Sequence, residues 1–377
     1  MLQESCRCGD VPRDFSGVPR GAIAAPRSPD ICAHYLALAL ATLLSVIGLP
    51  QVAEGAGPVA YYVATNGNDS WTGTIATATG TDGPFRTIAR AQGAVRAAIA
   101  GGMSGDVTVF IRGGEHYQDS PIWFLPEDSG RDGYKVVYRA YPGERPVIHR
   151  AQRVTAWQPE AGGVYKTPID WTFNALWENG VRASMARHPN VTPESPYNYS
   201  RTSATIAGAE TTKFGFRAGD VPPVPNPSAL EVVLWPGGPD GTWNWVQQVF
   251  SVASGDYGAG VLTLGRDLID GGTAAVWTIG AKSRYFVQGA RELLDSPGEF
   301  WLGGGFLYYR PRRLPIEAQE ILIPGASQQY NEGIVSIHGA SDANTVHDLE
   351  FEGLTLAYTN SPGSGFPVHD AERIGIR

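Results

Sequence analysis

The sequence predicts an all-β protein with a single helix and a closing segment of stacked coils. Three observations carry this. Short apolar runs recur at a spacing of roughly ten residues between turn residues, the pattern of small strands. Gly (47) and Pro (28) make up about a fifth of the 377 residues, turn-rich but not of low complexity. Only one stretch, Thr87 to Ala100, has a helical period, so alternating strands and crossover helices are not expected.

The elements follow in chain order. Tyr35 to Leu49 is an uncharged run, too short to span a bilayer and suited to the apolar stretch of a secretory leader. Ala53-Glu54-Gly55 supplies a small-x-small pattern, so residues 1–55 are expected to be a leader; the alternative is a buried core helix. Residues 1–34 carry four Arg and four acids where a basic segment is expected, which places the true start downstream of Met1, at Val18. Cys6, Cys8 and Cys32 all precede the cleavage point, so the exported body has no disulfide and no thiol nucleophile.

Tyr61-Tyr62-Val63 reads as a strand and Asn66 to Asp69 as a turn. Ile88, Ala91, Val95, Ala98 and Ile99 form one helical face, with Thr87 as N-cap and Gly101-Gly102 as the stop. Strands are expected at Val107–Ile111, Ile122–Phe124, Lys135–Tyr138 and Pro146–Ile148. Residues 158–323 hold most of the Trp and a Pro-rich stretch, and read as a separate β-rich unit. Its strands include Leu230–Trp235, Val246–Ser251, Val261–Leu264 and Ala275–Ile279. After it come Ile334–His338, Leu349–Phe351, Leu354–Leu356 and Ile374–Ile376. Leu349/Phe351 and Ile374/Ile376 are offset by 25 residues, a solenoid period.

A net charge of −8 with no basic stripe argues against a nucleic-acid binder. No apolar run reaches membrane-span length, so no membrane association is expected once the leader is removed. There is no Gly-x-Ser-x-Gly, phosphate-loop or dinucleotide pattern and no HExxH, and no His pair has metal spacing.

Several stretches carry a resemblance. They are Tyr61-Tyr-Val-Ala-Thr-Asn-Gly-Asn-Asp, Gly83-Pro-Phe-Arg-Thr-Ile, Val109-Phe-Ile-Arg-Gly-Gly-Glu and Pro126-Glu-Asp-Ser-Gly. Tyr138-Arg-Ala-Tyr-Pro-Gly-Glu-Arg-Pro-Val-Ile, Leu294-Asp-Ser-Pro-Gly-Glu-Phe and Phe351-Glu-Gly-Leu-Thr-Leu complete the set. Together they resemble the N-terminal half of secreted pectate-lyase-like proteins, most of all those similar to glycoside hydrolase family 141. The resemblance covers nearly all of residues 60–377. It implies a right-handed parallel β-helix with an N-terminal capping helix and first coils over 56–157. A β-rich insertion would occupy 158–323, and the helix would resume over 324–377. It also implies a polysaccharide or oligosaccharide substrate, two-carboxylate hydrolysis without an organic cofactor, and a monomer at full length. The chain stops inside a coil at Arg377, so it is expected to be a C-terminal truncation, inactive alone.

The candidate acids lie late in the chain. Asp348, Glu350 and Glu352 alternate along one strand, so all three point to its outer face. Alternate strand residues lie about 6.5–7 Å apart, the spacing of an acid/base pair that straddles a water. The alternative is a solvated ion-pair ladder, with Arg373 beside Asp348, Arg377 beside Glu352 and Glu350 left unpaired. Asp370, beside His369, is a second candidate acid or a turn former. Trp235, Trp243 and Trp245 are candidate sugar platforms or core residues. Two further readings stay open: a non-catalytic carbohydrate-binding surface protein, and a polysaccharide lyase. The lyase would use Ca²⁺ on the acidic triplet with Arg373 as base.

Overall fold

The computed structural model describes residues 59–192, 194–237, 246–268, 278–327 and 333–360. Over these the chain is mostly β, in short strands arranged as parallel and antiparallel sheets.

The first elements are β1 (Val59–Val63), helix α1 (Ile88–Ala100), β2 (Val107–Ile111), β3 (Gly114–Tyr117), β4 (Ile122–Phe124), β5 (Val136–Ala140) and β6 (Pro146–His149). The helix starts where its sequence places it. Thr87 is extended and its side chain accepts the Arg90 N–H, satisfying a free first-turn donor. Asp69 adds a second cap, accepting the Arg86 and Thr87 N–H groups at 2.8 and 2.9 Å and the Thr87 hydroxyl at 2.8 Å. The turn segment around Asp69 thus anchors the helix across 18 residues.

The strands that follow are β7 (Ala151–Arg153), β8 (Trp177–Glu178), β9 (Glu231–Trp235), β10 (Gln248–Asp256), β11 (Arg284–Gln288), β12 (Glu299–Gly303), β13 (Phe306–Arg310), β14 (Ile321–Pro324), β15 (Val335–Ile337), β16 (Leu349–Glu352) and β17 (Thr355–Ala357). Shorter strands of two to four residues lie between them.

Three sheets are parallel throughout. One runs β1-β2-β5-β16, with Val107 opposite Val136 and Val136 opposite Leu349. The second is β3-β6-β17 and the third β4-β15. Period-2 alternation turns Val107, Val109 and Ile111 inward, where they meet Tyr138 and Phe351 in one apolar cluster. The inner face of α1, from Ile88 to Ile99, packs into the same cluster. Phe124 meets both Tyr138 and Phe351 edge-on, at 5.1 and 5.2 Å. Beside these rings is a cavity of about 150 Å³ lined by Ile148, Leu354 and Leu356 among others.

Between β6 and β15 the pairing changes. β7 and β14 are antiparallel, and the Gly325 N–H donates to the Arg150 carbonyl at 3.1 Å, so the chain leaves and returns at one place. Within this excursion β9, β10 and β11 belong to an eight-stranded antiparallel sheet over its own core of Phe214, Val232, Phe250 and Tyr285. A third core, with Phe173, Phe300, Tyr309 and Ile321, lies under the β12–β13 hairpin. That hairpin turns at Gly304 and Gly305 with φ of +61° and +78°, which only glycine adopts without strain.

Several expectations need correction. Leu349 and Phe351 stack on Val136 and Tyr138, while Ile374 and Ile376, the other half of the 25-residue offset, lie outside the described residues. Asp348 is not on the strand. Its φ of +48° makes it the turn that delivers β16. The strand expected at Val246–Ser251 starts later and runs to Asp256, through a bulge between Val252 and Ser254. Most of the Ala275–Ile279 strand lies outside the described residues.

Candidate functional site

The predicted acids share an exposed edge. The Asp348, Glu350 and Glu352 side chains are 51, 41 and 42 % exposed. Glu350 is not unpaired, as expected from the sequence. Its carboxylate meets the Lys135 ammonium, because pairing of β16 on β5 places Glu350 one rung from Lys135. That hydrogen bond holds the Lys135 ammonium above its usual range. Glu352 is opposite Arg139 in register and 2.8 Å from its Nη2. Asp348 turns to its neighbour His347, whose Nδ1 is 2.9 Å away. Each acid therefore faces its own partner and the three do not converge. Among the described residues no three His, Cys, Asp or Glu side chains are placed to hold a metal ion, so the carboxylate triplet does not fit the Ca²⁺ of a lyase. Asp370, His369, Arg373, Arg377, Trp243 and Trp245 lie outside the described residues. Trp235 is only 6 % exposed, edge-on to Tyr199 and under the Arg284 guanidinium, and offers little face to a sugar.

A second cluster forms where the β3-β6-β17 sheet meets the turn around Asn179. Glu115 and Tyr117 alternate on the outer face of β3, and Tyr117 lies opposite His149 of β6. His149 is buried, yet its Nε2 makes no hydrogen bond and sits 2.9 Å from Glu115 Oε2. Its Nδ1 accepts the Ala151 N–H at 3.2 Å, which leaves the ring proton of the neutral imidazole on Nε2. Burial pushes the His149 imidazole below its usual range, so the neutral form is kept. The Tyr117 ring meets His149 edge-on at 6.0 Å, and Tyr358 meets it at 5.7 Å from the other side. Tyr358 in turn packs edge-on to Trp177 at 5.2 Å and holds a φ of +61°.

Glu320 completes this cluster. Its backbone N–H and C=O both bond to Asn179, at 2.9 and 2.8 Å. Burial, and then the charge of Glu320, push the Glu115 carboxyl above its usual range. Burial and the charges of Glu115 and Glu320 likewise raise the Tyr358 phenol. No motif marks this cluster, because its members come from segments far apart in the chain. The only local hint is the outward alternation of Glu115 and Tyr117 after Gly113-Gly114.

Three other buried carboxylates are tied to structure. Asp128 is held by Arg96 and by the Leu125 N–H at 2.8 Å, a tertiary anchor. Glu178 accepts the Tyr309 hydroxyl at 2.5 Å and the Arg312 and Arg313 N–H groups at 2.8 and 3.1 Å. Glu299, 1 % exposed, accepts the Arg187, Asp295 and Ser296 N–H groups, and burial pushes its carboxyl up to about 7.

No family model matches the chain, and no curated protein matches it. A solved glycoside hydrolase is similar over 80 % of this chain and 51 % of its own, with 21 % identity and a TM-score of 0.61. The chain has a glycoside hydrolase-like fold and spans about half the length of that protein. A solved complex of XylC with xylose aligns with 81 % of this chain and 36 % of its own, at 12 % identity; its TM-score of 0.32 carries no argument.

Proposed function

We propose that this protein is an exported carbohydrate-active enzyme of the glycoside hydrolase type, acting on plant or microbial polysaccharide with a pair of carboxylates. The fold likeness at a TM-score of 0.61 is the observation that carries this reading. The three parallel sheets support its architectural half: first coils of a right-handed parallel β-helix, of the group similar to glycoside hydrolase family 141. The residues between Arg150 and Gly325 are then the insertion, slightly wider than the segment expected from composition. The leader over residues 1–55 is the route of export.

Glu350 and Glu352 are the described acids with the spacing for this chemistry. Alternate residues on one strand lie about 6.6 Å apart, within the range that leaves room for a water between an acid and a base. The test is reducing-sugar release from a broad glycan panel. Release that falls with Glu350→Gln or Glu352→Gln supports the reading. No release from any glycan would sink it.

The second reading is a non-catalytic glycan-binding protein. Its support is that Glu350 and Glu352 each face a cation, Lys135 or Arg139, as a structural ladder would. Affinity electrophoresis that shows retention by glycans without turnover would favour it.

A further inference from the structure

The chain passes twice between two of its cores. Phe173, Leu176 and Ala183 share one core with Phe300. Ala186, Leu293 and the residues under the eight-stranded sheet share another. The first passage is abrupt. Ser184–Met185 pairs in parallel with the start of β12, and Arg187–His188 pairs with the end of β11. Ala186 stands between them, donating its N–H to the Phe300 carbonyl at 2.8 Å and accepting the Gly289 N–H at 3.1 Å. The second passage is the turn over 294–298, which delivers β12. The eight-stranded sheet is therefore a nested unit joined to the hairpin core by two short passages of chain.

The Glu299 carboxyl is bonded to both. Alternation along β12 sends Phe300 into the hairpin core and turns Glu299 and Trp301 towards the nested unit, where the Trp301 Nε1–H donates to the Gly289 carbonyl at 2.7 Å. Glu299 Oε1 accepts the Arg187 N–H of the first passage at 3.3 Å. Its Oε2 accepts the Asp295 and Ser296 N–H groups of the second at 3.2 and 3.0 Å.

The charges around this seam face elsewhere. The Arg187 guanidinium bonds to the Pro189 and Asn198 carbonyls and lies over the Phe286 ring. Arg310, opposite Glu299 in register, reaches the Asp295 carbonyl. Arg312 bonds to the Val181 and Arg182 carbonyls, and Arg291 lies over the Trp301 and Tyr308 rings. Asp295 adds a like charge, and its carboxylate accepts the Asn190 Nδ2–H. None of these cations pairs with the Glu299 carboxyl, so burial favours its neutral form. Separating the two passages would let water reach the group and relieve an ionised Glu299.

We propose that Glu299 is a proton-operated clasp on the hinge of the nested unit. Protonated, it keeps the two passages together; ionised, it draws water into the seam and frees the eight-stranded sheet to move against the β12–β13 hairpin. The inference stands apart from the carbohydrate reading and adds a conformational control to the fold.

Hydrogen exchange resolved along the chain, measured from pH 5 to pH 8 and corrected for the intrinsic effect of pH, tests it. With a carboxyl at 4.5 when open and about 7 when closed, opening should rise on the order of 50-fold over that range and level off above pH 7. The rise should appear at residues 184–188 and 294–300. Val232 and Phe250, paired inside the eight-stranded sheet, should stay protected at every pH. Glu299→Gln keeps a neutral side chain and should remove the pH dependence. Asp295→Asn removes a like charge that favours the proton on Glu299, so opening should level off at a lower pH. Where Glu299→Gln does not fold, the Asp295→Asn shift decides. A parent without pH dependence at the two passages, a dependence kept by Glu299→Gln, or a plateau unmoved by Asp295→Asn overturns the clasp. Loss of protection that spreads equally to Val232 and Phe250 overturns the hinge, since the whole unit then unfolds together.

Discussion

Arg96 grips Asp128 through two parallel hydrogen bonds, Nε to Oδ1 at 2.7 Å and Nη2 to Oδ2 at 2.8 Å, and the Asp128 side chain is wholly buried. The pair ties α1 to the turn that leads from β4 towards β5. It also satisfies the Leu125 N–H, so one carboxylate closes three donors. The partners are unequal, since the Arg96 side chain is 35 % exposed and water screens it in part.

Asp128→Ala should therefore destabilise the protein by about 3 kcal/mol, the lower end expected when a buried ion pair loses one member. Chemical denaturation of the variant and the parent measures it. A loss below about 1 kcal/mol, the scale of an exposed pair, would contradict the structure.

Asp69→Ala should cost about 1–2 kcal/mol, because it frees two backbone donors and the Thr87 hydroxyl at the start of α1. Hydrogen exchange should show the loss first at the N-terminal turn of that helix. Uniform loss of protection across the chain would argue that Asp69 does more than cap.

Glu299 should make stability fall with rising pH. Its carboxyl moves from an ordinary 4.5 to about 7 in the folded chain, so the native state holds a proton that the unfolded state releases. This contribution is whole below pH 4.5 and is lost as pH rises through about 7. The full span is on the order of 3 kcal/mol. Melting curves at pH 5 and pH 8 should differ less for Glu299→Gln than for the parent, and equal differences would count against the assignment.

Gly130→Ala should be strongly destabilising despite an ordinary backbone angle. An added Cβ would stand 2.1 Å from the Tyr134 carbonyl oxygen and 2.9 Å from the Asp348 Cβ. Backbone has to shift where β16 begins, so the cost should exceed about 2 kcal/mol, the scale of overpacking a tight site. A thermal midpoint unchanged from the parent would show that the turn has room.

Local physics was the readable half of this fold. Helix α1 showed because its apolar face recurs at helical spacing and Thr87 caps it. Strands β2 and β4 showed, to the residue, because alternation and turn residues bound them. What stayed hidden depends on partners distant in the chain. The Glu350–Lys135 pair exists because β16 stacks on β5, and no local pattern records that register. The same holds for the cluster of Glu115, His149, Glu320 and Tyr358, which come from four separate segments. Asp348 misled because a period-2 pattern does not reveal that its first member sits in a left-handed turn.

The stacking of β16 on β5 also dictates an order of events during folding. Lys135 and Glu350 meet across 215 residues, whereas β5 finds β2 across only 29. Closing the longer loop from an unstructured chain costs roughly 2 kcal/mol more in entropy. The Gly325–Arg150 hydrogen bond removes most of that burden, since it returns the chain to its point of departure once the stretch between them has condensed. The fourth rung is therefore a late arrival, and its rate depends on how fast the stretch between Arg150 and Gly325 condenses.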